Sequence, residues 1–123
     1  MSPDHNAAPL TLRAGASMQE YQEYIHQLDA MHGWSDASTV RKCFLMGEEV
    51  GELFKAIRIL DRMPHSAPER PRAIDNAGEE IVDVFNYLLA LANRLDIDLE
   101  DAFRRKNRRN QSRSWDPPTP ASS

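Results

Sequence analysis

Glu49-x-x-Glu52, with Glu48 just before it, and Glu80-x-x-Asp83, with Glu79 just before it, are the groupings in this chain best placed to do chemistry. On an α-helix, side chains three or four positions apart share a face with Cβ atoms about 5–6 Å apart, so each motif can aim two carboxylates at one point. Four such carboxylates suit a hard divalent cation, which takes oxygen ligands. One acidic pair at helical spacing is most often a solvated helix face. Two pairs bordered by large apolar residues fit that reading less well, because like charges converging near a core need cations to offset their repulsion.

The elements that would position these acids read as helices throughout. Ser17, with Glu20 three residues on, forms a capping box for a helix to about residue 31, ended by His32-Gly33. A connector, Trp34-Ser35-Asp36-Ala37-Ser38, leads to a long helix over about 38–60. At about 100° per residue, Met46, Val50, Leu53, Ile57 and Leu60 fall on one face, the pattern of a buried stripe. Glu49 flanks that stripe, Glu52 lies a little farther round beside Leu45 and Ala56, and Glu48 falls between it and the polar side. The first motif therefore straddles the boundary between core and solvent.

Residues 61–72 contain Pro64, Pro68 and Pro71 and are expected to form a loop. Its Arg62, His65, Arg70 and Arg72 could close over an anion or simply be solvated. A third helix is expected from about 74 to 95, so apolar over 81–92 that it must be buried on several sides. Asp83 and Asn86 interrupt that run, sharing a narrow stripe with Glu79 and Ala90. A buried, ionised carboxylate needs a partner, and a cation is one way to supply it. The last helix runs from Asp98 or Leu99 to about 113, with Asp98 as N-cap, Asp101 at the third position and an arginine-rich end that suits the helix dipole.

With 123 residues and 41% hydrophobic content, the chain has the size of one domain. Residues 1–16 read as a flexible arm, 17–115 as the helical domain and 116–123 as a disordered tail. A net charge of -4 and a pI near 5.5 argue against a general nucleic-acid binder. The single Cys43 excludes an intrachain disulfide and reads as a small buried residue in a reducing, cytoplasmic compartment. No apolar run approaches membrane-spanning length, and the N-terminal stretch lacks the apolar core of a signal peptide. Four helices with wide apolar faces exceed what a small monomer would cover, which predicts an all-α bundle completed by homo-oligomerisation, as a homodimer or homotetramer, with active sites able to draw on two chains.

The runs Glu48-Glu49-Val50-Gly51-Glu52-Leu53, Glu79-Glu80-Ile81-Val82-Asp83-Val84 and Tyr87-Leu88-Leu89-Ala90-Leu91-Ala92-Asn93-Arg94-Leu95-Asp96-Ile97-Asp98-Leu99 resemble the MazG-like all-α nucleoside triphosphate pyrophosphohydrolases. That superfamily includes dimeric dUTPases, and its signature is EExxE followed after a variable interval by ExxD. The interval here, residues 53–79, is long but acceptable. The resemblance covers roughly residues 18–115 and implies a four-helix MazG-like bundle. It implies that Glu49, Glu52, Glu80 and Asp83 bind Mg²⁺, with Mn²⁺ as an accepted substitute, and that Glu48 is a further ligand or an outer group. It further implies hydrolysis of a nucleoside triphosphate, a dNTP above all, to the monophosphate and pyrophosphate as nucleotide-pool house-cleaning, with Glu48 or Glu49 orienting or deprotonating the water.

The family's third element, Lys-x-x-x-Asn-x-x-Arg, is matched by Lys106, Asn110 and Arg113, which share one helical face and could hold phosphate oxygens. Arg104, Arg105, Arg108 and Arg109 are alternatives in the same run. The chain departs from the family pattern at Asn86, where an apolar residue is common, and at Asp96, where Gly is common. Asn86 could bond a base or sugar edge, or be satisfied by backbone or a neighbouring carboxylate. Trp34, Phe44 and Tyr87 could stack on a base, although aromatics at helical spacing more often build a core. His26, His32 and His65 show no ligand spacing and receive no chemistry. Two other readings stay open: a dUTPase-like specificity, and a non-catalytic helical interaction module whose acids bind a basic partner or a structural cation.

Overall fold

The structure is a computed structural model and describes residues 9–113. The expected tail over 116–123 and residues 1–8 of the expected arm lie outside the described residues. Four helices are present, α1 (Met18–Met31), α2 (Thr39–Arg62), α3 (Arg70–Arg94) and α4 (Leu99–Ser112), with a short 3-10 turn at Trp34–Asp36 between α1 and α2. Among the described residues there is no strand, so the all-α expectation holds.

Local chemistry sets the helix ends. The Ser17 hydroxyl accepts the Glu20 N–H at 3.2 Å and the Ser17 N–H donates to the Glu20 carboxylate at 2.6 Å, completing the capping box. Arg13 adds a two-pronged contact to the same carboxylate at 2.7 and 2.8 Å, which, ahead of the Ser17 bond, lowers the Glu20 pKa to about 2. Gly33, at φ 70°, turns the chain out of α1 in the left-handed region that glycine adopts without strain. Ser38 caps α2 by accepting the Arg41 N–H at 3.0 Å, and Asp98 caps α4 by accepting the Asp101 N–H at 3.1 Å.

The expected loop over 61–72 is shorter in the structure. Helix α2 continues to Arg62, and α3 begins at Arg70 with Pro71 in its first turn. A proline there lacks only an N–H that the helix would not have used, so it starts the helix rather than blocking it. The Arg70 guanidinium donates to the Leu60 and Met63 carbonyls at 3.4 and 3.3 Å. It thus satisfies the orphaned carbonyl end of α2 instead of closing over an anion.

This short connection folds α2 and α3 into an antiparallel hairpin, the most extensive pairing in the molecule; α1 lies against α3, and α4 packs chiefly on α1. The seam of the hairpin is not centred on the expected stripe. Ala56 of α2 and Ala77 of α3 are its buried residues, and Ile57, expected inside, is 47% exposed. Small alanines let the two backbones approach closely, while Met46, Val50, Leu53 and Leu60 of the stripe are half-buried beside them. Nor is α3 buried on several sides within one chain, since Ile81, Val82 and Leu88 are exposed while Leu89, Ala90 and Ala92 are buried. Cys43, expected inside, is exposed on α2.

The principal core joins Ile25 of α1 to Leu89 and Ala90 of α3, with Met18, Tyr24, Leu28, Phe85 and Leu99 packed around them. Beside it the buried Gln22 ties three elements together. Its amide donates to Asn93 Oδ1 at 3.2 Å and to the Ile97 carbonyl at 2.9 Å, and its oxygen accepts the Leu99 N–H at 3.0 Å. The Asn93 amide returns a bond to the Gln22 carbonyl at 2.8 Å. The turn from α3 to α4 passes through Asp96 at φ 52°, the left-handed conformation for which glycine is the easier residue.

Candidate metal centre and its cavity

Glu49 comes from the middle of α2, and Glu80 and Asp83 come from α3, one turn apart. The hairpin brings one carboxylate oxygen of each to within 4.8 Å of the others. Glu49 and Glu80 are half-buried and Asp83 is exposed, so the group sits at the edge of the seam with one side open. Oε2 of Glu80 is buried and has no hydrogen-bond partner. A buried carboxylate oxygen left bare costs free energy, and a cation bound among the three acids would satisfy it.

The electrostatics agree with the geometry. The Glu49 carboxyl is raised above its ordinary pKa, first by burial and then by the negative charges of Asp83, Glu80, Glu52 and Glu48. The Tyr87 hydroxyl is raised too, by burial first and by Glu49, Glu48, Asp29 and Asp83 after it, which keeps it protonated as a donor. A cluster of hard oxygen donors with surplus negative charge is the donor set of a divalent cation such as Mg²⁺.

A cavity of about 580 Å³ opens beside the acids, within the roughly 300–1,000 Å³ range of small-molecule sites. Glu49 and Asp83 form part of its wall, and Asn86, Tyr87 and Trp34 line it as well. Ile25, Leu28 and Asp29 of α1 supply the opposite side. The Arg94 guanidinium donates to the Ser35 carbonyl and fastens the 3-10 turn to α3, which holds Trp34 at the cavity. His32 stacks on Trp34, with ring centroids 4.5 Å apart and planes 24° from parallel.

Five of the residues singled out by sequence, Trp34, Glu49, Asp83, Asn86 and Tyr87, therefore meet at one cavity, and Glu80 joins two of them in the acidic group. The others lie elsewhere. Glu52 is exposed and outside the trio, though its charge reaches Glu49. Glu48 lines a separate surface groove with Phe44, which is 73% exposed. Lys106, Asn110 and Arg113 are not among the residues lining the cavity; Lys106 and Arg113 are exposed, and the Asn110 amide donates to Asn107 Oδ1 at 3.2 Å.

Sequence reasoning missed Asp29, Arg41 and Lys42, all on the cavity wall. One signal for Lys42 was available, since it precedes Glu49 by two helical turns and so shares its face.

Comparison with known families gives a match to the family model of the MazG nucleotide pyrophosphohydrolase domain over residues 37–116, the stretch that holds α2, α3 and α4. Comparison with curated proteins gives no match.

Proposed function

The chain belongs to the MazG nucleotide pyrophosphohydrolase domain family, and from that premise we propose that it hydrolyses a nucleoside triphosphate, a dNTP above all, between the α and β phosphates to release pyrophosphate. The observation that carries the reading is the convergence of Glu49, Glu80 and Asp83 around a bare, buried Glu80 oxygen at the mouth of a nucleotide-sized cavity.

Glu49, Glu80 and Asp83 would hold Mg²⁺, with Mn²⁺ as a substitute, and Glu52 would complete the set after a side-chain rotation. The bound ion would lower the pKa of a water and neutralise charge on the phosphates. Glu48 or Glu49 orients or deprotonates the attacking water. The cavity takes the nucleoside: Trp34 and Tyr87 flank the base, and Asn86 offers an amide to the base or sugar. Lys106, Asn110 and Arg113 hold phosphate oxygens. Because α4 packs on α1 and does not line this cavity, those three reach the site from the partner of a homodimer or homotetramer. The enzyme works on free nucleotides in the cytoplasm, clearing unwanted dNTPs, and not on nucleic acid or at a membrane. No helix among the described residues is long and apolar enough to cross a membrane.

The test is pyrophosphate release by purified protein from a panel of NTPs and dNTPs with Mg²⁺. Turnover of at least one nucleotide, abolished by chelator and by Glu49→Ala or Asp83→Ala, is expected. No turnover of any, or full activity in both variants, overturns the reading.

A further inference from the structure

Trp34 reaches the cavity from a segment that its own ring does little to hold. The indole is 52% exposed, and among the described residues its one ring contact is His32 of the same connector. The 3-10 turn it belongs to buries none of its residues. Something other than packing must fix where the indole stands.

Two charged contacts do so from outside the connector. At its middle, the Arg94 guanidinium of α3 donates to the Ser35 carbonyl. At its root, Asp29 in the last turn of α1 and Lys42 in the first turn of α2 stand 3.6 Å apart, which draws together the two ends of the segment that carries Trp34. Lys42 is 4% exposed, so its charge needs that carboxylate close by. Helix α1 otherwise rests on α3 and α4, and α2 on α3, with the cavity between α1 and α2. Among the described residues no other ion pair or hydrogen bond joins α1 to α2. The ion pair therefore sets the gap that the connector spans, and the Arg94 contact sets where its middle lies.

We propose that Asp29, Lys42 and Arg94 are positioning residues for the nucleotide, holding Trp34 at the cavity before the base arrives and acting through Trp34 rather than by contact with the substrate; this inference rests on the nucleotide reading above. A platform already in place spares binding the cost of ordering it. The metal-binding acids stand on the α2–α3 hairpin, and loss of a clamp leaves all three of them present. A weakened clamp should therefore show in KM more than in kcat, the mark of lost binding that ground state and transition state share.

The experiment uses Trp34 as its own reporter. The chain has two tryptophans, so Trp115→Phe leaves Trp34 as the one indole that fluoresces, and that protein is the reference. Lys42→Met and Arg94→Met are compared with it by acrylamide quenching, by KM and kcat for the best nucleotide with Mg²⁺, and by melting temperature with and without Mg²⁺. Each variant is expected to make Trp34 easier to quench and to raise KM about five- to tenfold, the scale of ordering a side chain and its turn only on binding, while Mg²⁺ still raises the melting temperature. Placed in a Trp34→Ala protein, the same two substitutions should change KM by less than about twofold, because residues that act through one side chain do not add once it is gone. Arg94→Met carries the test where Lys42→Met does not fold. A mere brace would lower the melting temperature and leave quenching and KM in place, and that result overturns the proposal. So does a KM effect of undiminished size in the Trp34→Ala protein, which would put the clamps in contact with the substrate. Pyrophosphate release that ignores both clamps sinks this inference alone; no release from any nucleotide sinks the hydrolase reading and this inference with it.

Discussion

The Glu49 carboxyl keeps its proton to a higher pH in the folded protein than in the unfolded chain, because burial and then the neighbouring acids raise its pKa. Where the native state binds the extra proton, stability falls as pH rises. The contribution is therefore fully favourable below the ordinary carboxylate range and is lost as pH climbs through the raised value. In chelator, melting temperatures taken from about pH 4 to about pH 8 should show a loss in the wild type that is reduced in Glu49→Gln. Mg²⁺ should raise the melting temperature of the wild type more than that of the variant, since ligand binding to the native state stabilises it. Activity of Glu49→Gln should drop at least about a hundredfold, the usual scale for losing a group that stabilises charge in a transition state. The acids could be found by reading because each pair announces itself at helical spacing on its own helix, although Glu49 meets Glu80 and Asp83 only across the hairpin and Glu52 stays outside the group. The pairing of Asp29 with Lys42 could not, because it forms only when α1 is laid beside α2, and the one local signal, Lys42 on the face of Glu49, is easily read as a solvated lysine.

Helix boundaries were readable wherever a cap was local. Ser17, Ser38 and Asp98 each bond an N–H three residues ahead, so the signal and the structure lie within one turn. Pro71 misled because a proline that starts a helix and one that breaks it look alike until the seam with α2 is known. The joint between α3 and α4 is a sharper test of what holds the elements together. Gln22→Ala would strip partners from the Leu99 N–H and the Asn93 side chain, and should cost about 2–4 kcal/mol in urea unfolding, as several buried bonds fail together. Asp96→Gly should act in the opposite direction, since Asp96 sits at φ 52°. Removing the Cβ there relieves left-handed strain and should stabilise by up to about 1 kcal/mol, the net after the greater freedom of glycine in the unfolded chain.

For the whole molecule, the apolar surface of a single chain is the main fact left to explain. Phe54 is 69% exposed, Phe103 64% and Val82 52%, and they come from α2, α4 and α3 respectively. Exposed apolar side chains on three helices are what the proposed homo-oligomer would cover, and periodicity could announce them as excess hydrophobicity but could not orient them, because the hairpin seam is lined by alanines. If the partner supplies Lys106, Asn110 and Arg113 to each cavity, two inactive chains should repair one another. Glu49→Gln loses the acids of its own site but still lends an intact α4; Lys106→Ala keeps the acids but lends a defective α4. In a mixed dimer, one site carries both defects and the other carries neither. Unfolding and refolding the two variants together at equal amounts should make about half the dimers mixed and restore roughly a quarter of wild-type pyrophosphate release, while each variant refolded alone stays inactive. Sedimentation should give a particle of at least twice the 14.0 kDa chain mass. Activity that remains absent in the mixture, with mixed dimers verified by differential tagging, would place Lys106 in the same site as Glu49 of its own chain and require α4 to swing across α1 to reach it.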